Sequence, residues 1–502
     1  MTEQLPVVDE PRKGLTKPLI IVGAAAALVI TLAGAGAYAW TKLSGGGSQP
    51  HDVLPSSVIA YARVDADPST GQKIAILKLV RKFPELAKEL GIKDVGQDVR
   101  KPLLEDLVAE CDLDYDKDVE PWLGNRIGVA YDAKLETPIA AVQVSDEDKA
   151  RTGINKLADC GGPDARTGIA FLDGYALVTP RKADAAKVVT AATATSLADN
   201  AAYAKDIDQL GEQGVFSAWV DLKQVGDIKE LQTLGAEMAE MEGAFKGVGT
   251  AAVTLRAGSS SIELAGIAHV DKAPQVSKAT SLEHLPEDTV LALSASGLGD
   301  EAAAQFESGF MDGMTADGFD PDEELATLEE ELGLRFPEDL VTLLGDGLVF
   351  AVGRNNLERV PTMGGPEQLS SLDIGLKLTT DPTKGADLAK RLVALANEQG
   401  VPLATTQTDD GVVIATNQEA ADSLEGDGTL GDTDNFTEAI AHPGSYPAFY
   451  VNLDAILDAL LGSDPPPDVE DMLNELEPLS SLGISSTHND GLYKATMRLT
   501  LD

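Results

Sequence analysis

The chain has 502 residues, 24% of them charged and 5% aromatic, with 82 Asp and Glu against 39 Lys and Arg for a formal charge of −43. So acidic a chain lacks the broad basic faces that general nucleic-acid binding needs, and anionic lipid repels it. Its length exceeds what one hydrophobic core ordinarily serves, so two or more domains are expected.

Pro18 to Trp40 (PLIIVGAAAALVITLAGAGAYAW) contains no charged residue. As a helix it rises roughly 34 Å, enough for the hydrocarbon core of a bilayer. Arg12, Lys13 and Lys17 precede it, and Lys42 is the only basic residue after it until Arg63. Basic flanks stay on the cytoplasmic side. Residues 1–17 are therefore expected as a cytoplasmic tail, 18–40 as a transmembrane helix, and the rest as the extracytoplasmic part of a single-pass cell-membrane protein. Ala37-Tyr38-Ala39 has the form of a signal-cleavage site, but the apolar run is longer than the ~7–15 residues of a secretory core, so an uncleaved anchor is preferred. Residues 41–52 (TKLSGGGSQPHD) read as a flexible tether.

The remainder repeats itself with a period of about 230 residues. Leu54-Pro55-Ser56-Ser57-Val58-Ile59 returns as Leu285-Pro286-Glu287-Asp288-Thr289-Val290, Trp122-Leu123-Gly124 as Leu343-Leu344-Gly345, and Ala218-Trp219-Val220-Asp221 as Phe449-Tyr450-Val451-Asn452. The order is preserved, as a tandem duplication requires: a first copy over 53–270, a linker over 271–282 and a second copy over 283–502. Each copy opens on a strand (Val58 to Val64; Thr289 to Ser296) followed by two helices. Lys73 to Leu90 carries apolar residues near helical spacing, and Asp320-Pro321 has the cap and first-turn proline of a helix start. Two strands come next (Arg126 to Tyr131 and Ile139 to Val144; Leu348 to Val352 and Leu372 to Leu378), then a helix (Asp146 to Leu157; Pro382 to Ala396). A hairpin is expected to turn at Asp173-Gly174 and at Asp410-Gly411. After a further strand and helix, each copy closes on a strand pair (Gly249 to Leu255 with Ile262 to Ala268; Leu482 to Ser486 with Leu492 to Leu501). This predicts the α+β class, each unit a mainly antiparallel sheet covered by helices on one face.

That order of elements, from Leu54-Pro55 through the Trp122-Leu123-Gly124 block and the Asp173-Gly174-Tyr175 hairpin to Leu197-Ala198-Asp199-Asn200, resembles the DUF3352 family of bacterial envelope proteins. The resemblance covers nearly everything after residue 52. It implies a membrane-anchored protein and brings no catalytic residue to carry over.

Residues with chemistry to offer are few. His51, His269 and His284 lie in or beside the linkers, no histidine pair has metal-ligand spacing, and all five, His442 and His488 included, read as surface residues. Nucleophile elbow, phosphate loop and zinc-helix motifs are missing, so no catalytic residue, cofactor or metal ligand is assigned, and the chain is expected not to be an enzyme. Asp112 to Asp118 alternates acids as calcium loops do, yet Lys117 and Leu123 stand where such a loop needs Gly and Glu. It reads as a solvated turn. Cys111 and Cys160, the only cysteines, form an even pair that one disulfide would consume outside the cell. Lys73, Lys78, Arg81, Lys82 and Lys88 make a basic island in the acidic chain, a candidate contact for anionic lipid or a cell-wall polyanion. The expected role is binding or scaffolding in the cell envelope, with an envelope protein, lipid or wall polyanion as partner. The alternatives are a carrier of lipid or another hydrophobic ligand, and an envelope enzyme whose site is assembled only in the fold.

Overall fold

A computed structural model describes residues 47–84, 88, 100–160, 167–225, 247–271, 281–307, 326–327, 329–330, 333–362, 365–442 and 447–502. The expected tail and span, most of the linker and the helix start at Asp320-Pro321 lie outside these residues. Among the described residues no helix is long and apolar enough to cross a membrane. The fold is α+β with extensive antiparallel sheet. It divides into two compact units, one closing with Thr250–Leu255 and the other running over Arg256–Asp502, with Lys78–Pro84 and Gly247–Gly249 grouped in the second.

In the first unit the strands are β1 (Val58–Asp65), β2 (Leu123–Asp132), β3 (Thr137–Val144), β4 (Gly168–Leu172), β5 (Tyr175–Thr179), β6 (Phe216–Asp221) and β7 (Val248–Ala257). They lie in the order β7-β6-β1-β2-β3-β5-β4, each neighbour antiparallel. The helices are α1 (Thr70–Lys82), α2 (Arg100–Ala109), α3 (Glu147–Cys160), α4 (Lys182–Ala194) and α5 (Ala201–Leu210). Local chemistry sets their ends. Asp146 accepts the Lys149 N–H at 3.0 Å to start α3, and Asn200 accepts from Ala202 and Tyr203 to start α5, which stops at Gly211 with φ 85°. Asp173 and Gly174 sit at φ 47° and 80°, the left-handed pair of a two-residue hairpin. On one sheet face, Leu104 and Val108 of α2, Ala150 and Ile154 of α3 and Trp122 pack with Ala140, Ala176 and Val178. Tyr175 and Leu177, alternating with these, are fully buried on the other.

The second unit has β8 (Ser261–Val270), β9 (Thr289–Ser296), β10 (Gly347–Gly353), β11 (Ile374–Thr379), β12 (Ala404–Thr408), β13 (Gly411–Ala415), β14 (Ala448–Asn452), β15 (Leu479–Asn489) and β16 (Leu492–Leu501). Their order is β12-β13-β11-β10-β9-β14-β15-β16-β8, again antiparallel throughout. Its helices are α6 (Leu298–Glu307), α7 (Glu338–Leu344), α8 (Pro382–Glu398), α9 (Gln418–Glu425), α10 (Asp434–Ala439), α11 (Leu453–Gly462) and α12 (Pro467–Leu476).

Three expectations change. β8, placed by sequence at the end of the first copy, pairs with β16 and belongs to the second unit. Alternation in Ile262 to Ala268 suits any antiparallel neighbour; Glu263 facing Arg498 across the ladder supplies the pairing chemistry. Helices cover both faces, not one. Val412 and Ile414 of β13 pack with Leu343 of α7 and with Ala386 and Ala389 of α8, while Val413 and Ala415 pack with Ala421, Leu424 and Phe436. Both parities of that strand are apolar, so both faces need a roof. Finally, the second hairpin turns one residue earlier, at Asp409-Asp410, because Thr408 already pairs with Gly411. Gly411 opens β13, where a Cβ would strike the Leu378 carbonyl oxygen, so close strand approach explains the glycine.

Cys111, just past α2, is bonded to Cys160 at the end of α3, with Cα atoms 5.3 Å apart. The bond ties together two helices that roof the same sheet face. Reduction is expected to lower the stability of this unit by about 4 kcal/mol for a loop of this length, read as a lower denaturant midpoint. A Cys111→Ser, Cys160→Ser protein should match the reduced wild type.

Candidate functional site

The basic island does not survive intact. Lys73 is buried, 2% exposed, with its ammonium paired to Asp67. Lys78, Arg81 and Lys88 are exposed and Lys82 is half-buried. A face for polyanions therefore loses its first member, because α1 turns that position inward beside Gln72, Ala75 and Ile76.

The last residues of the expected tether are built into the first unit. Pro50–Asp52 form a short 3-10 turn with Pro50 buried, the Ser48 carbonyl accepts the Tyr175 hydroxyl at 2.7 Å, and Gln49 Oε1 accepts an Arg63 N–H at 2.7 Å. Flexibility read from Gly, Ser and Pro content yields here to buried polar groups that need these partners. Asp65 lies at the centre: Oδ2 accepts from Arg63 at 3.1 Å and from Arg126 at 2.9 Å, and all three side chains are buried. Arg63 also donates to Ser217 Oγ and the Gly214 carbonyl. Beside this network His51, read from sequence as a surface residue, is mostly buried. Its Nδ1 shares a hydrogen bond with the Tyr203 hydroxyl at 3.0 Å, and Asp52 lies 3.6 Å from Nε2. Burial lowers the His51 pKa below its ordinary 6.5; Asp52 opposes that and Arg63 reinforces it. Tyr203 stacks edge-on to Trp219, whose indole donates to buried Asp206 at 2.8 Å. The imidazole, carboxylates and guanidinium groups named here are engaged in holding the fold, while the Tyr61 hydroxyl, whose ring packs against His51 and Tyr203, is buried without a hydrogen-bond partner among the described residues.

The acidic turn is neutralised, not vacant. Lys117 pairs with Asp114 at 2.7 Å, Lys101 with Asp116 at 2.6 Å and Lys156 with Asp118 at 2.5 Å. Among the described residues no cluster of His, Cys, Asp and Glu could hold a metal ion. Three surface clefts are small and mixed in lining. One of about 150 Å³ lies by Asp288, Asp373 and Glu419, one of about 270 Å³ by Trp122, Lys149 and Lys156, and one of about 390 Å³ by Ser57, Lys134 and Asn200. The second is the most charged, with Lys117, Asp118 and Asp148 also in its lining, and Asp118 is paired there with Lys156.

The second unit presents something different. Register places Leu293 of β9, Phe449 of β14, Ile484 of β15, Met497 of β16 and Leu264 of β8 in one transverse row. Leu293 is 40% exposed, Met497 39%, and Ile484 and Leu264 37% each, where sheet interiors are ordinarily covered. The flanking rows on that face are Leu291, Val451, Leu482, Leu499 and Ile262 on one side, and Ser486, Ala495 and Gly266 on the other. No Asp, Glu, Lys or Arg occupies this face of the five strands, in a chain that is 24% charged. Their charges point the other way. Glu263 is buried there, and although burial raises its pKa, hydrogen bonds from Arg498 and Arg256 win and hold it below the usual range. α7 and α8 roof the β11–β13 end of the face, and α11 packs on β9 and β15. Between them the row's side chains keep the exposures given above.

The sequence profile described as "Protein of unknown function (DUF3352)" matches residues 161–442, more than half of the chain. The chain belongs to the DUF3352 family. The profile spans parts of both units, including β9 and β10 but not the closing pair β15–β16. No curated protein matches. Among solved structures, crystal forms III and I of TP0453 are 10% and 9% identical and cover 45% and 46% of this chain and 82% of that chain, each with a TM-score of 0.22. That likeness is too slight to bear on fold or function.

Sequence reasoning missed the row because its members are single residues scattered from Leu264 to Met497. The one available signal was alternation in Leu482 to Ile484 and Ala495 to Leu499 with no charge at either parity of the outward positions. Two outcomes follow for the first unit. Asp65→Asn leaves two buried guanidinium groups without a counter-ion and should cost about 3–5 kcal/mol in urea unfolding. Because the folded His51 pKa lies below 6.5, the folded state binds fewer protons, so stability falls as pH drops through 6.5 towards the folded value. A His51→Gln protein should show a shallower loss between about pH 7.5 and 5.5 in the same assay.

Proposed function

We propose that the chain is a non-catalytic binding module of the bacterial cell envelope, anchored by Pro18–Trp40 with its two units extracytoplasmic, and that the row from Leu293 to Leu264 is its binding face. The anchor rests on the uncharged apolar run and on Arg12, Lys13 and Lys17 before it. A duplicated origin is supported by matched strand orders, β6-β1-β2-β3-β5-β4 beside β14-β9-β10-β11-β13-β12. The observation that carries the binding role is the face without Asp, Glu, Lys or Arg on which four large side chains are left 37–40% exposed. Contiguous apolar surface of this kind marks a site of association.

Covering what remains exposed of five such side chains is worth roughly 3–6 kcal/mol. That is small against the cost of association, so the face alone gives weak binding and needs help from its surroundings. A single acyl chain or other hydrophobic ligand is the second reading, since it would lie on the same row. A neutral solvatochromic dye such as Nile red should fluoresce on the full chain, and Ile484→Ser with Met497→Ser, which adds no charge at these directly paired positions, should remove most of that signal with unfolding little changed. A dye response indifferent to both substitutions would place binding elsewhere.

A further inference from the structure

Resting on that binding face, we propose that its occupant is a cationic amphipathic helix of a partner protein, with an apolar ridge on the row and Lys or Arg along both flanks. Length supports a helix. Five strands span about 19 Å at sheet spacing, the rise of about 13 helical residues. Charge selects its sign. From Arg256 to Asp502 the chain carries 45 Asp and Glu against 12 Lys and Arg, so most of its negative charge lies in the half that bears the uncharged row. Acids predominate on the helices beside it, although Asp458 of α11 is paired with Arg354. α11 packs on β9 and β15, and from Leu453 to Leu476 there are seven acids and no base. On α12, Met472 is 54% exposed and Leu476 39%, beside Asp468, Asp471 and Glu475. α12, which packs on α11, thus exposes apolar side chains among charges that are all of one sign. Such a border attracts a basic flank, and it opposes both a second copy of this chain and an anionic bilayer, which would bring like charges together.

The test uses the full chain in zwitterionic nanodiscs, with empty discs as reference, and fluorescent peptides of about 18 residues. One is a Leu/Lys amphipathic helix, one a Leu/Glu helix of the same pattern, and one a Ser/Lys peptide of equal charge. Leu/Lys should bind about tenfold more tightly than either control, and weaken several-fold from about 50 to about 500 mM salt. Ile484→Ser with Met497→Ser, at exposed positions, should weaken it about fivefold with the thermal midpoint unchanged. Equal binding of Leu/Lys and Leu/Glu, both weakened by the serines, overturns the charge selection and leaves the binding face standing. Equal binding of Ser/Lys overturns the amphipathic occupant. Indifference to the serines removes the face itself, and a salt-insensitive dimer lost in the serine variant makes a second copy the occupant.

Discussion

The second unit depends on the antiparallel ladder and its period of two. Once Glu263 meets Arg498 across β8 and β16, every neighbouring residue is assigned a side. The charged side chains and the hydroxyls of Ser481, Ser485 and Thr500 go to the buried side, where hydrogen bonds satisfy those hydroxyls. Leu264, Met497, Ile484 and Leu293 are left on the other. A shift of one residue would bury the leucines and expose the ion pair. The open face is therefore the counterpart of the polar interior behind it, and the register enforces both together.

The first unit shows another solution with the same topology. At the positions facing its polar interior stand Arg63, Asp65 and Arg126, and a carboxylate shared by two guanidinium groups must be closed off from competing water. Ser48–Asp52 contribute to that closure through two carbonyl or amide contacts and the His51 ring. The chain leaving the expected anchor is thus fastened to the unit before β1 begins. Residues 48–52 are therefore not a free tether.

Much of the architecture was legible. Thr289–Ser296 matches β9 as expected, and the helices expected from Asp146 and Pro382 begin within a residue of those positions, where Asp146 and Asp381 offer side-chain oxygens to first-turn amides. Cys111 and Cys160 were legible as a pair. Less so were partners across long separations. The histidine at 51 looked like tether, Lys73 looked like surface, and β8 looked like the end of the first copy. For two of them a distant group decides the environment, Tyr203 for His51 and β16 for β8, whereas Lys73 pairs with Asp67 only six residues before it.

Sequence by itself determined the acidic character, the class of fold, the starts of the helices at Asp146 and Pro382, the single pair of cysteines and the family resemblance, since each follows from residues close together or from simple counting. Tertiary structure decided which faces are covered and which are open. Leu264, Leu293, Phe449, Ile484 and Met497 become neighbours only when β8 and β9 flank β14, β15 and β16. No local pattern encodes that adjacency, because hydrogen bonds between strands carry no record of sequence distance. The face on which a function is proposed is a product of strand order.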